Sequence, residues 1–390
     1  MSESKTHKPK IALVLQGGGA RAAYQVGAIK AISEILPRGS SNPFPIITGT
    51  SAGAINAATL AAFAGNFREA TKRLLYVWRN FRVHHVYRSD TLGILKTGLH
   101  WLVSMLLGGI GRYNPMSLFD RSPLYRLLAR YLPCENIQKA IDDGHLYALA
   151  ITATGYTSGQ SVSFFQGKQT LSAWNRVRRL GVSTRITLEH LMASSAIPFV
   201  FPAVKINREY FGDGSMRQLF PLSSALHLGA DKVLVIGVRY AGEQSRSAKD
   251  GDEYPSLAQI AGHVMNSIFL DSLEIDLERL QRINKTISLI PDKRFEEGGV
   301  TLRPVEPMVI NPTEDLQRIA NKYAKHLPRA VRFLLRGIGA VNKESTSLIS
   351  YILFEKPYCR ELIALGYADT MQRKEEIRKF LEIEDEPSEV

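Results

Sequence analysis

The stretch that most constrains this chain runs from Ile46 to Ala58, with the sequence IITGTSAGAINAA. A short β-branched run leads into Gly-x-Ser-x-Gly, and an alanine-rich helical pattern follows at once. A serine on such a strand-to-helix turn presents its hydroxyl at the end of a sheet, because flanking glycines let the backbone turn sharply. The dipole of the following helix favours negative charge there. The stretch predicts an α/β sheet with Ser51 as candidate nucleophile; the alternative is an ordinary helix-capping serine.

A second glycine motif, Gly17-Gly18-Gly19-Ala20-Arg21-Ala22, ends a predicted buried strand at 10–16 and precedes a helical pattern that runs to Leu36. The spacing Gly-x-Gly-x-x-Ala fits a dinucleotide fingerprint, but that fingerprint requires an acidic residue at the end of the second strand, where Thr48–Ser51 has none. A second interpretation is an oxyanion hole, because successive glycines leave backbone N–H groups unscreened. Parallel strands of a βαβ unit would bring the loop beside Ser51. A third interpretation is a glycine turn that allows the backbone to pack closely.

A candidate acid lies in Gly212-Asp213-Gly214-Ser215, after two short predicted strands at 204–206 and 209–211. A carboxylate between glycines at a strand end resembles a placed catalytic acid, although Asp-Gly is also among the commonest turn dipeptides. A carboxylate that accepts a serine proton must have a raised pKa. The neighbouring Tyr210 and Phe211 are compatible with the desolvation that this requires.

Periodicity predicts the remaining elements. Helical patterns lie at 52–63, 67–82 and 123–132, and a long one runs from Ser256 to about Arg282. Strands are predicted at 146–154, 161–165 and 231–240, with late strands at 286–290 and 308–310. The arginine-bearing stretch 176–185 and the charged stretch 243–254 are predicted as loops, and from Thr313 the pattern is mostly helical.

The net charge indicates what kind of partner the chain binds, and the cysteine content indicates the redox compartment in which it works. The chain of 390 residues carries a net charge of +12, which suits an anionic partner, either nucleic acid or acidic lipid. Two distant cysteines, Cys134 and Cys359, argue against a disulfide framework and a structural zinc. The N-terminal apolar run is too short for a signal peptide, and no apolar stretch reaches the ~20 residues of a membrane span. We therefore expect a soluble protein in a reducing compartment.

Two stretches are candidates for membrane contact. The apolar segment Leu99–Gly111, which contains Trp101 and Leu102, is too short to span a bilayer and is either a core helix or an interfacial segment. The helix predicted at 67–82 carries five basic residues, which either face solvent or contact acidic lipid.

Taken together and in this order, the motifs resemble those of the patatin-like lipid acyl hydrolases of bacterial type. Gly17–Arg21 is similar to the oxyanion block of that family, Gly49–Gly53 to its nucleophile elbow, and Ala193–Pro202 to its third block. Asp213-Gly214 is similar to its catalytic aspartate motif. The chain departs from the family in having Ser215 where Gly or Ala is usual, and Ala22 where Gly often follows the arginine.

The resemblance implies a three-layer α/β/α fold with a mostly parallel central sheet and a C-terminal helical region. It divides the chain into a catalytic domain at 1–255 and a mostly helical extension at 256–390. It further implies hydrolysis of acyl esters of phospholipids or related lipids by a Ser51–Asp213 dyad. Gly17, Gly18, Gly19 and Arg21 would form the oxyanion hole. No cofactor, metal or nucleic acid is expected, and the expected location is cytoplasmic, peripheral on the inner face of the membrane.

Two alternatives remain open at the level of sequence. The first is a non-catalytic module that keeps the fold and binds acidic lipid or a protein through its basic surface. The second is a Ser-Asp-His esterase, for which a histidine after the acid is required, either His227, His263 or His326. None of these histidines lies in a glycine-bounded loop at a predicted strand end.

Overall fold

The structure is a computed structural model, and it describes residues 9–88, 117–240, 242, 257–290, 302–337 and 347–383. The apolar segment Leu99–Gly111 and the charged loop predicted at 243–254 lie outside these ranges.

The ten strands within the described ranges form one sheet. In chain order they are β1 (Ile11–Leu15), β2 (Ile46–Thr50), β3 (Ala148–Gly155), β4 (Ser161–Gly167), β5 (Trp174–Arg176), β6 (Arg179–Ser183), β7 (Val204–Ile206), β8 (Glu209–Asp213), β9 (Lys232–Ile236) and β10 (Glu306–Ile310). Their order across the sheet is β10-β9-β1-β2-β3-β4-β6-β5, and β8 pairs with both β3 and β7.

The half of the sheet from β10 to β3 is parallel throughout. Its central strand β1, with the sequence IALVL, is buried at every position. Continuous apolar runs of this kind suit a strand that is covered on both faces. The antiparallel pairs β3–β4 and β3–β8 follow on the other side.

Helices cover both faces of the sheet, which gives the predicted three-layer α/β/α architecture. The described helices are α1 (Ala23–Ile35), α2 (Ala52–Ala62), α3 (Phe67–Arg79), α4 (Val83–Val86), α5 (Ser122–Tyr131), α6 (Glu135–Asp142), α7 (Leu188–Ser194), α8 (Ser223–His227), α9 (Leu257–Ile287), α10 (Leu316–Tyr323), α11 (Arg329–Gly337), α12 (Ser347–Ile352), α13 (Lys356–Gln372) and α14 (Lys374–Phe380). Leu13 of β1 packs in the core with α1, α2 and α13, whereas its neighbour Val14 packs with α8 and α9.

The C-terminal region is built into this architecture. Strand β10 extends the parallel sheet beside β9. Helix α13 crosses α1 at two glycines: a Cβ at Gly27 would lie 2.1 Å from the Ile363 carbonyl oxygen, and one at Gly366 would lie 2.1 Å from that of Tyr24. Only glycine permits this approach of two backbones. The Tyr24 hydroxyl donates to Asp369 at 2.9 Å, which also ties the two helices together.

Two predicted elements were wrong. Residues 286–290 are not a strand, because α9 continues to Ile287 and a turn follows. The β-branched residues there favour a strand locally, but the helix end is docked on β10 by Asn284, whose side chain exchanges hydrogen bonds with Val305. The stretch 176–185 is not wholly loop, because it contains β6 and the end of β5. These strands lie at the sheet edge, where charged residues are common and conceal the strand pattern.

The helices of the described ranges include none with both the length and the apolar character needed to cross a membrane.

Candidate active site

Ser51 occupies the sharp turn between β2 and α2. Its backbone has φ 56° and ψ −129°, in the left-handed region that costs a non-glycine residue about 1–3 kcal/mol. The flanking glycines are required by packing. A Cβ at Gly49 would lie 2.5 Å from the Gly53 carbonyl oxygen, and a Cβ at Gly53 would lie 2.4 Å from that of Leu15. The Gly-x-Ser-x-Gly spacing is therefore a steric condition for this turn.

The glycine loop at residues 17–19 begins beside this turn. Leu15 pairs with Gly49 across parallel strands, so the chain leaves β1 and β2 at the same sheet edge. Gly53 packs against the carbonyl groups of Leu15 and Gln16, at the start of the loop. Within the described ranges no acceptor takes a hydrogen bond from the N–H of Gly17, Gly18 or Gly19. These donors are available for an oxyanion.

The side chain of Arg21 contacts the C-terminal region. It is buried, its Nε donates to Ser350 Oγ at 2.9 Å, and its guanidinium lies 4.2 Å from the centre of the Tyr351 ring. Gly19, at φ +55°, lies against the carbonyl of Tyr351, where a Cβ would approach within 2.2 Å. Through these contacts Arg21 and Gly19 join the glycine loop to the C-terminal region.

Asp213 ends β8 and is fully buried. Its backbone N–H donates to the Ala196 carbonyl at 2.9 Å, and its Oδ1 accepts from the Ser215 N–H at 2.9 Å. Its Oδ2 is buried and has no hydrogen-bond partner in the described part of the chain, and the Ser51 side chain is among the groups that lower the pKa of this carboxyl. The structure thus brings Ser51 and Asp213 together.

The pKa of Asp213 is raised from its ordinary value to about 6. Burial is the largest cause, because it disfavours the charged form. Hydrogen bonding with Ser51 and Ser215 and the charge of Arg121 act in the opposite direction. A carboxyl group with this pKa is ionised at neutral pH and is a stronger base than an ordinary aspartate.

The third motif, Ala193–Pro202, makes hydrogen bonds to the backbones of both Ser51 and Asp213. Ser194 Oγ accepts a hydrogen bond from the Ser51 N–H at 2.9 Å and donates to the Thr152 carbonyl at 2.6 Å. Two residues later, the Ala196 carbonyl accepts from the Asp213 N–H. Sequence reasoning gave this motif no role beyond its resemblance to a family block. Its contact with Ser51 joins residues 143 apart in sequence, which no local pattern records.

Arg121 is a functional candidate that sequence reasoning missed. It is buried, its Nη1 donates to Ser195 Oγ at 3.3 Å, and its Nη2 donates to the Pro202 carbonyl at 2.9 Å. Burial lowers the pKa of Arg121 to about 10, and the charge of Asp213 opposes this effect. The sequence held no signal for it, because nothing around Arg121 distinguishes it from the many other arginines.

Replacing Arg121 with methionine is expected to move the acidic limb of the kcat/KM profile for ester hydrolysis to higher pH. The positive charge of Arg121 lowers the pKa of Asp213, so its loss raises that pKa and protonates the base over a wider pH range. At a pH below the pKa, a rise of about one pH unit in the pKa of the base lowers the rate about tenfold. Arg121→Lys keeps the charge and should keep the limb near its original position. Profiles that coincide for Arg121→Met and wild type, with thermal unfolding unchanged, would contradict this role.

Two of the three histidines proposed for a triad make contacts elsewhere, and the third is exposed. His227 Nδ1 lies 2.7 Å from the Ser223 carbonyl oxygen, and its ring stacks on Trp174. His326 contacts the ring of Tyr323, and His263 is exposed on α9. Among the described residues no histidine hydrogen-bonds to Ser51 or Asp213, and no cluster of three His, Cys, Asp or Glu is arranged to hold a metal ion.

One family model matches the chain. It is described as Patatin-like phospholipase, and it matches residues 13–226, more than half of the chain. The matched range contains Ser51, Asp213, the glycine loop and the third motif. No curated protein matches significantly.

Three solved structures are similar to the chain at low identity. VipD from Legionella pneumophila is 14% identical, with a TM-score of 0.35, and the match covers 94% of this chain and 67% of that one. Human GIVD cytosolic phospholipase A2, in complex with methyl gamma-linolenyl fluorophosphonate, is 12% identical with a TM-score of 0.40, over 96% of this chain and 59% of that one. The SpcU–ExoU complex of Pseudomonas aeruginosa is 16% identical with a TM-score of 0.27, and the match covers 95% of this chain and 80% of that one.

Proposed function

We propose, because this chain belongs to the patatin-like phospholipase family, that it is a serine lipid acyl hydrolase with a Ser51–Asp213 dyad. Its substrates would be acyl esters of phospholipids or related lipids. One observation carries the proposal: the buried Oδ2 of Asp213 has no hydrogen-bond partner in the described ranges, and the pKa of this carboxyl is sensitive to the Ser51 side chain.

In the proposed first step, Ser51 Oγ attacks the carbonyl carbon of the acyl ester while its proton passes to Asp213. The negative oxygen of the tetrahedral intermediate accepts hydrogen bonds from the N–H groups of the glycine loop at residues 17–19. Preorganised donors of this kind stabilise charge that develops in the transition state. The intermediate collapses, the ester C–O bond breaks, and the Asp213 proton goes to the leaving alcohol. Ser51 then carries the acyl group.

In the proposed second step, water attacks the acyl carbon and gives a proton to Asp213. The acyl bond to Ser51 breaks, Ser51 recovers the proton, and the fatty acid leaves. Asp213 therefore acts alternately as base and acid, for which a pKa of about 6 is well matched to neutral pH. No histidine is needed in this scheme.

An apolar cavity beside α2 supports an acyl substrate. It measures about 280 Å³ and lies between α2, α3 and α5, lined by Ile55, Leu74, Trp78 and Leu128 among others. Ile55 is one helical turn after Ser51, so the cavity runs along the helix that begins at the nucleophile. Charged side chains also line it: Lys72, and Arg73 paired with Glu69 at 2.8 Å.

We further propose that residues 1–255 are the catalytic domain and that the extension at 256–390 supports the glycine loop. The contacts of Arg21 with Ser350 and Tyr351, and of Gly19 with the Tyr351 carbonyl, support this division of roles. Since lipid esters lie in bilayers, the reaction would occur with the protein peripheral to a membrane, at its cytoplasmic face.

The direct test is to incubate the purified full chain with phospholipid, lysophospholipid and acylglycerol and to measure fatty acid by mass spectrometry. Release of fatty acid, with stoichiometric lysolipid from a phospholipid, is the expected result. A folded protein that consumes none of these esters would favour a non-catalytic module that binds lipid or a protein through its basic surface.

A further inference from the structure

Three turns project from the sheet edge that carries Ser51 and Asp213. Thr50 pairs with Thr152 of β3, and Thr154 lies two residues further along that strand, about 7 Å beyond this pair and one residue past the level of Ser51. Thr154 pairs with both Ser161 and Gly212. Ser161 in turn pairs with Arg179. The turns that follow these pairs, at 156–160, 177–178 and 207–208, therefore extend past the site on the same side of the molecule.

The exposed side chains of these turns and their flanks combine apolar and basic groups. The apolar ones are well exposed: 46% for Tyr156, 85% for Val177 and 53% for Tyr210. Exposed basic residues alternate with them along the chain. We define the rim as Tyr156, Val177, Arg178, Lys205, Arg208 and Tyr210.

One acidic residue, Glu209 at the start of β8, flanks these turns and stands against the three basic residues of the rim. Glu209 is half-buried, and its Oε1 accepts hydrogen bonds from the N–H groups of Thr157 and Ser158 at 2.9 and 2.6 Å. It thereby joins the turn at 156–160 to that at 207–208. The rim is thus a positively charged surface held by backbone hydrogen bonds next to the candidate nucleophile.

We propose that the rim docks the catalytic edge onto a membrane surface that contains anionic lipid. The inference rests on the proposed function for its orientation, since it would bring Ser51 to the layer where lipid esters lie. The chemistry of the rim matches that layer: tyrosine rings settle at the headgroup level, and lysine and arginine are attracted to anionic headgroups. A valine at the tip of a two-residue turn can enter the interface without exposing new backbone groups.

The test is sedimentation of the full chain with vesicles of phosphatidylcholine that contain phosphatidylglycerol. All proteins carry Ser51→Ala, so vesicles stay intact and binding is measured whether or not the chain is an enzyme. Two double variants alter the rim: Val177→Ser with Arg178→Glu, and Arg208→Glu with Tyr210→Ser. Each charge removed near the surface weakens binding about fivefold, so each reversal should weaken it at least about tenfold. Raising the salt from about 0.1 M to about 1 M should weaken binding of the parent, because the Debye length falls from ~10 to ~3 Å.

A matched control lies at the opposite sheet edge, where the end of α9 meets Val305 before β10. Lys285→Glu with Leu289→Ser makes the same chemical change at residues that are equally exposed, with Leu289 at 77%. It should bind vesicles as the parent does. Equal binding by rim and control variants, with unfolding temperatures unchanged, would overturn the proposal. Loss of self-association in the rim variants, without any effect on vesicle binding, would identify the rim as a contact between copies of the chain and would also overturn it.

Discussion

Replacing Ser51 with alanine is expected to abolish the release of fatty acid from lipid esters while leaving the protein folded. The substitution removes the nucleophilic oxygen, and loss of the nucleophile in a serine hydrolase lowers kcat by at least about 10⁴-fold. Alanine keeps the Cβ that Ser51 already carries at φ 56°, so it adds no backbone strain. The measurement is the rate of fatty acid release by the purified variant, with thermal unfolding recorded alongside.

A serine outside the turn provides the control. Ser122 at the start of α5 has a hydroxyl that bonds to the exposed Asp120. Ser122→Ala should keep activity near that of wild type. If folded Ser51→Ala protein hydrolyses lipid esters at a rate close to wild type, Ser51 is not the nucleophile.

Replacing Asp213 with asparagine is expected to lower turnover by at least about 10²-fold, which is the order of effect for losing a general base. Asparagine has the same shape and keeps an oxygen that can accept the Ser215 N–H, but it cannot take the Ser51 proton at any pH. Because the buried carboxylate is replaced by a neutral group, we expect no loss of stability at neutral pH. The measurement is kcat for ester hydrolysis from pH 5 to pH 9, a range that brackets the Asp213 pKa of about 6.

The activity of Asp213→Asn is compared with that of three single variants, in which alanine replaces His227, His263 or His326. His227 and His326 make their described contacts away from Ser51 and Asp213, and His263 is exposed, so each variant should keep most of its activity. A folded histidine variant as inactive as Ser51→Ala would replace the dyad with a Ser-Asp-His triad.

The parts of the site that were predictable from the sequence are those governed by local sterics. The turn at Ser51 needs glycine on both sides, since any Cβ at Gly49 or Gly53 would strike backbone, and the sequence states that requirement directly. The buried run of β1 and the helices that follow both glycine motifs are likewise set by patterns within a few residues. The same patterns predicted an α/β sheet, and the resemblance to the patatin-like family implied its three-layer arrangement.

The parts that escaped prediction depend on contacts between distant residues. Ser194 holds the Ser51 backbone, Arg121 acts on Asp213, and Tyr351 covers Gly19, and each of these pairs is brought together only by the folded chain. The helical state of residues 286 and 287 was missed for the same reason. Their β-branched side chains favour a strand, and the packing of α9 against the start of β10 overrides that preference.

The measurement that tests the central claim most directly is covalent labelling by an alkyl fluorophosphonate, read out by mass spectrometry of the proteolysed chain. The probe reacts with an activated serine, so the dyad predicts one adduct, on the peptide that contains Ser51. It predicts no adduct in Ser51→Ala and much slower labelling in Asp213→Asn, because the hydroxyl then lacks its base. An adduct on another serine, or no adduct in folded wild-type protein under any condition, would contradict the account.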